Sequence, residues 1–196
     1  MKTTVNQPTP ASHPQAINLG LPSGTRWASC NIGSSKPEEH GDHFAWAELK
    51  VKDNYDWDTY VHYDSKKNGY SNLGSCISGS KYDAAHEIWG DKWRMPTLEQ
   101  IKELLDCCTF EWTALNGVNG GKFTGPNGNS IFLPAAGYRF SNDMEEVGEG
   151  GAYWSGALSP YSNCNACHLE FSSIQADWNH CFDRFFGHSI RPVAVP

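Results

Sequence analysis

Apolar and polar positions alternate in short stretches along most of this chain, and only two stretches carry a helical period. In residues 81–90, Tyr82, Ala85 and Trp89 fall at helical spacing, and Gly90 suits a C-terminal stop. The second stretch is better marked. Thr97-Leu-Glu-Gln100 has the form of a capping box, Pro96 precedes it, and Leu98, Ile101, Leu104 and Leu105 form an apolar stripe. Upstream, residues 17–21, the turn Pro22-Ser-Gly24 and residues 25–30 predict a strand, a turn and a strand. Residues 44–47 form a short buried segment, and the polar residues 50–79 predict a long surface loop. After Cys108 the helical period ends. Short strands follow, broken by Asn116-Gly117, Asn119-Gly120-Gly121 and Pro126-Asn-Gly128. Residues 130–134 read as a buried strand, and from Ala166 onward Leu169, Phe171 and Ile174 recur at roughly period two. Residues 189–193 make a last strand. Two early helices followed by many short strands predict an α+β domain with long loops.

Length and charge narrow the classes. A chain of 196 residues can bury one core without staples. Residues 1–16, with Pro8, Pro10 and Pro14, predict a flexible leader, and residues 17–196 a single domain. The leader is polar and lacks the apolar core of a secretory signal. A net charge of -7 argues against nucleic acid and against an anionic membrane surface, and no apolar run is long enough to span a bilayer. The acidity is uneven: Asp143, Glu145, Glu146, Glu149, Glu170, Asp177 and Asp183 lie in a stretch from Ser141 to Asp183 without any Lys or Arg. That predicts an anionic surface suited to polar or cationic partners. Seven cysteines leave at least one thiol free or paired between chains.

Several motifs then resemble a known family. Residues 19–33 (Leu-Gly-Leu-Pro-Ser-Gly-Thr-Arg-Trp-Ala-Ser-Cys-Asn-Ile-Gly), Tyr82-Asp-Ala-Ala-His86, Trp93-Arg-Met-Pro-Thr97, residues 128–138, Tyr153-Trp-Ser155 and Ser189-Ile-Arg-Pro-Val193 resemble, in order, the Fibrobacter succinogenes major paralogous domain of Bacteroidetes. The Arg-Met-Pro-Thr start and the closing strand also resemble formylglycine-generating-enzyme-like domains. The resemblance implies a C-type lectin-like fold: two helices, short twisted antiparallel strands, paired termini and a loop-rich face bearing variable side chains. It also implies that Cys30 and Cys108 are buried thiols or one disulfide, and a place on a cell surface, outside the cell or on a virion.

Residues 153–188 are further similar to the diversified segment of diversity-generating retroelement targets. There, adenine mutagenesis scatters Asn codons into Ser, Tyr, Cys, His, Asp and Phe. Tyr153-Trp-Ser155, Leu169, Phe171, Arg184 and Gly187 would be framework, with Asn163, Asn165, His168, Asp177, His180, Asp183, Phe185 and His188 among the displayed set. Gln175 and Trp178 do not come from an Asn codon. The other reading is an ordinary surface module with polar loops.

Four chemistries compete for the same segment. Cys164-Asn-Ala-Cys167-His168 matches the haem-attachment pattern, but Leu169-Glu-Phe171 continues as a strand rather than a haem-enclosing helix. Cys164, Cys167 and His180 have zinc-finger spacing without the second His. Trp178-Asn179-His180 resembles a lectin calcium loop but has His where calcium needs a carboxylate. No cysteine pair matches that of formylglycine-generating enzymes, and a scaffold does not carry an activity. The sequence therefore predicts a binding protein without metal, cofactor or catalytic residues, its partner a protein or glycan on another cell surface. Binding is assigned to Asn163, Asn165, His168, Glu170, Gln175, Asp177, Trp178, His180, Asp183, Phe185 and His188, with Trp178 and Phe185 as anchors. Of Phe182 and Phe186, one is expected in the core.

Overall fold

The computed structural model describes residues 14–66 and 69–194. Residues 1–13 of the expected leader lie outside them, and Ala16 at its end is already in a strand. Strands β1 (Ala16–Asn18), β2 (Arg26–Ala28), β3 (His43–Phe44), β4 (Tyr63–Asp64) and β5 (Gly69–Tyr70) precede helix α1 (Ala84–Trp89). Strand β6 (Trp93–Arg94) leads into α2 (Leu98–Cys107). Then come β7 (Thr109–Leu115), β8 (Val118–Thr124), β9 (Ser130–Pro134), β10 (Tyr138–Phe140), β11 (Asp143–Glu145) and β12 (Gly150–Leu158). The chain closes with β13 (Asn165–Ser172), β14 (Ala176–Asp183), β15 (His188–Ser189) and β16 (Val193–Ala194).

This corrects the expected fold class. The protein is predominantly β, with its strands in several small sheets, in place of the expected C-type lectin-like α+β domain. One sheet runs β14-β13-β12-β15-β3, another β1-β2-β16-β6, a third β7-β8-β9, and two hairpins stand apart. The two helices exist where the apolar period placed them, but they are short, and local turn chemistry sets their ends. Asp83 caps α1 by accepting from the Ala85 and His86 amides, and its other oxygen accepts from Gly79 and Met95. That fully buried cap starts α1 at Ala84 and leaves Tyr82 outside the helix. Thr97 and Gln100 form the reciprocal capping box of α2, whose Ile101 and Leu104 enter the core.

The glycines of β8 were misleading as turn signals. Asn116-Gly117 turns β7 into β8, both residues holding positive φ (51° and 84°), and Pro126-Asn-Gly128 turns β8 into β9. Gly120 and Gly121 lie inside β8, because a Cβ at Gly120 would strike the Leu133 carbonyl and one at Gly121 the Phe110 ring. Residues 50–79 are likewise more than a surface loop. Tyr55 and Tyr60 are buried, and their hydroxyls donate to the carbonyls of His43 and Trp46.

The sheet ending in β14 is covered on both faces over most of its width. Tyr153, Leu169 and Phe171 point into one cluster with Trp27, Leu104 and Phe123. Trp154 and Ala166 point into another with Trp46, Phe44 and Ile190. This is the period-two alternation of a strand, and it stops at the β13–β14 turn, where Ile174 is 88% exposed. The expected last strand divides. Ser189 runs parallel to Tyr153 of β12, whereas Val193 pairs with Trp27 of β2 in the other sheet. Arg191 sits between the two.

Candidate functional site

The edge of the five-stranded sheet carries the candidate ligand-binding face. Strands β13 and β14 pair antiparallel with Cys167 opposite Cys181, His168 opposite His180 and Glu170 opposite Asp177, with one register shift between His168 and Glu170. Paired residues share a face, so His168, Glu170, Asp177, His180 and Phe182 stand on one side. Cys167 and Cys181 stand on the other, joined by a disulfide with their Cα atoms 4.1 Å apart. Cys167 and His168 therefore point to opposite faces, and Cys164 instead contacts Ser162 and Asn165. Neither the haem-type nor the zinc-type spacing gathers its members. Among the described residues no group of three His, Cys, Asp or Glu is placed to hold a metal ion. Cys30 and Cys108 are both free thiols.

A column of rings runs from the core to the surface. Trp154 stacks on His188 at 3.9 Å, and His188 meets His168 edge-on at 4.8 Å. His168 stacks on Phe182 at 5.1 Å, Phe182 on Phe186 at 5.3 Å, and Phe186 on Phe140 at 5.0 Å. Phe140 belongs to the β10–β11 hairpin, which is held beside β14 by the reciprocal backbone bonds of Arg139 and Gly187. At the outer end of the column Phe140 and Phe182 are exposed, and Glu145, Glu146 and Glu149 are exposed on the hairpin and the loop that follows it.

Charge is arranged around Glu170. Its Oε2 lies 3.3 Å from His168 Nε2 and 3.6 Å from His180 Nδ1, and His180 Nε2 is 3.8 Å from Asp177. Burial pushes the His168 imidazole below its ordinary pKa, so the neutral ring donates its Nε2–H to Glu170. That hydrogen bond in turn lowers Glu170 and keeps it ionised. Glu146 moves the other way, raised by partial burial and by the crowding of Glu170, Glu149 and Glu145. Two small clefts flank Glu170. One, of about 30 Å³, lies between Tyr138 and Phe182 over Gly150, Gly151 and Ala152, with Glu146 at its side. The other, of about 90 Å³, is bounded by Ser172, Gln175, Asp177 and His180. A roomier open cleft of about 520 Å³ lies between β1 and the β7–β9 sheet, but it brings only one charged side chain, Lys122, to its walls.

Compared with family models, curated proteins and solved structures, the chain matches none.

The residues assigned to binding from sequence separate into two groups. Asn163, Gln175 and His180 are exposed, and Asn165, Glu170, Asp177 and Asp183 are half-buried on or beside the edge. Trp178 is half-buried and packs against the core, with the Lys102 ammonium 4.5 Å from its ring centre. His168, Phe185 and His188 are corrections: they are enclosed, at 0%, 2% and 0% exposure, and cannot touch a ligand. Strand positions turn His168 and His188 inward onto Trp154 and each other, and the turn between β14 and β15 turns Phe185 onto Tyr60. Of the two phenylalanines of which one was expected in the core, Phe186 is half-buried against two core clusters and Phe182 is at the surface, while the fully buried ring is Phe185. Tyr138, Phe140 and Glu146 were missed. Glu146 lies in the stretch without Lys or Arg, but Tyr138 and Phe140 precede it, and their approach to Phe182 depends on the distant Arg139–Gly187 pairing.

Proposed function

We propose that this chain binds a protein or glycan partner non-covalently through the face built by the β10–β11 hairpin and the edge strand β14. The observation that carries the reading is the pair of exposed rings Phe140 and Phe182, joined through Phe186, beside an acidic stretch. Exposed aromatic groups backed by a rigid core are the usual anchors of recognition, and a ring column reaching Trp154 supplies that rigidity. The motif resemblance to the Fibrobacter succinogenes major paralogous domain supports a role at a cell or virion surface. Diversification within residues 153–188 is part of the same reading, confined to side chains that reach solvent. Enclosed His168, Phe185 and His188 favour a fixed framework at their own positions.

Protein and glycan arrays probed with the wild type, Phe182→Ala and Phe140→Ala test the reading. Binding should fall about tenfold in each variant, the scale of a buried aromatic anchor. A partner bound equally by all three would place its contacts elsewhere. A near-copy of the codons for residues 153–188 beside a reverse transcriptase gene, differing at adenines, would establish diversification; its absence would leave an ordinary binding module.

A further inference from the structure

We infer that the slot between Tyr138 and Phe182 receives the ammonium end of a lysine side chain carried by a protein partner. This rests on the proposed binding face and names the chemistry of one part of it. The slot is a built cavity. Its walls are two aromatic rings with centres 6.0 Å apart, and its floor is the backbone of Gly150, Gly151 and Ala152. The missing side chain at Gly150 matters, since a Cβ there would stand 3.2 Å from Glu146 Oε2 and crowd the carboxylate at the slot's side.

Glu170 is pre-set for a cation. The fully buried His168 holds its Oε2 from behind, and His168 is itself stacked flat against the back of Phe182. Oε1 of Glu170 has no hydrogen-bond or ion-pair partner among the described residues, and neither does the Glu146 side chain. A cation entering the cleft would therefore meet two carboxylates beside an aromatic wall without displacing a hydrogen bond or an ion pair. Size chooses among cations. About 30 Å³ admits a compact ammonium on a methylene stem, whereas a guanidinium plane or a sugar ring is too broad.

The test uses the full chain and small probes, read by amide NMR shifts. Nα-acetyl-lysine methylamide should give saturable shifts centred on Gly150, Gly151, Ala152 and Phe182. Its uncharged isostere, Nα-acetyl-norleucine methylamide, should give none, and Nα-acetyl-arginine methylamide and glucosamine should bind at least about fivefold more weakly. Glu170→Gln and Glu146→Gln should each weaken the lysine probe about fivefold, the order of one half-exposed ion pair. Glu111→Gln, on the distant strand β7, should leave it unchanged, and thermal melts would show that each variant remains folded. Equal shifts from the norleucine probe, preferred binding of glucosamine, or indifference to both glutamine variants would overturn the inference. Partner binding that still depends on Phe140 and Phe182 after such a result would leave the proposed face standing without this slot.

Discussion

Arg191→Ala is expected to destabilise the protein by about 4 kcal/mol, the penalty for breaking a buried and fully bonded charge. Arg191 is 1% exposed and has no carboxylate partner. Its Nε donates to Asn31 Oδ1 at 2.8 Å, one Nη to the Ala28 carbonyl at 3.1 Å and the other to the Phe132 carbonyl at 3.0 Å. One guanidinium thus ties the end of β2, the Asn31 turn and β9 to the segment between β15 and β16. Burial draws its pKa down to about 10, which leaves it charged near neutrality. Alanine would leave a cavity and three acceptors without donors, each a penalty in its own right. Arg191→Lys should recover little, because a single ammonium cannot span acceptors arranged for a planar fork. Urea denaturation midpoints measure both changes, and a loss below about 1 kcal/mol for alanine would contradict this account of the junction.

The second large effect is acid lability. His43, His168 and His188 are all buried, and burial lowers each below the ordinary value of 6.5, His43 to about 4. His188 has no hydrogen-bond partner on either ring nitrogen among the described residues. It faces Trp154, Tyr138, Phe182 and Phe186, and the charged or titratable side chains acting on it are His168 and His43, both of which oppose its protonation. His168 at least has Glu170. These rings are neutral when folded and protonate near pH 6.5 when unfolded, so the unfolded chain binds more protons below that pH. Their contribution to stability is complete above about pH 6.5 and is lost progressively as pH falls toward about 4, the folded value for His43. For His43 alone that amounts to about 3 kcal/mol. Denaturation curves from pH 7 to pH 4 should show a steep decline in the wild type and a shallower one in His188→Phe, which keeps a flat ring against Trp154. Parallel pH dependences would mean that His188 is not the buried acid sensor.

Much of the local structure was legible because its causes are local. The capping box started α2, Gly90 stopped α1, and residues 130–134 formed the expected β9. The architecture was not. Its sheets are assembled by pairings far apart in sequence, such as β15 with β3 and β16 with β2, and no local period reports those. The motif resemblance pointed to an α+β lectin-type domain, yet both helices are short and most of the chain pairs as strands. At the candidate site, composition singled out residues that the fold brings together, since Glu170, Asp177 and His180 share one face of β13 and β14. It could not distinguish the two faces of β13 and β14. A bulge between His168 and Glu170 and the turn at Ile174 decide which side chains point out. His168 therefore supports Glu170 from inside, and Tyr138, which lines the face from the hairpin, closes a segment that read as framework.

The central claim is that a partner docks on the β10–β11 hairpin and β14. Hydrogen–deuterium exchange of the full chain, free and saturated with a partner identified on the arrays, tests it most directly. Slower exchange concentrated in residues 138–147 and 176–183, with little change in β7 to β9, is the predicted result. Protection confined to the cleft between β1 and the β7–β9 sheet, with the hairpin and edge strand unchanged, would contradict it.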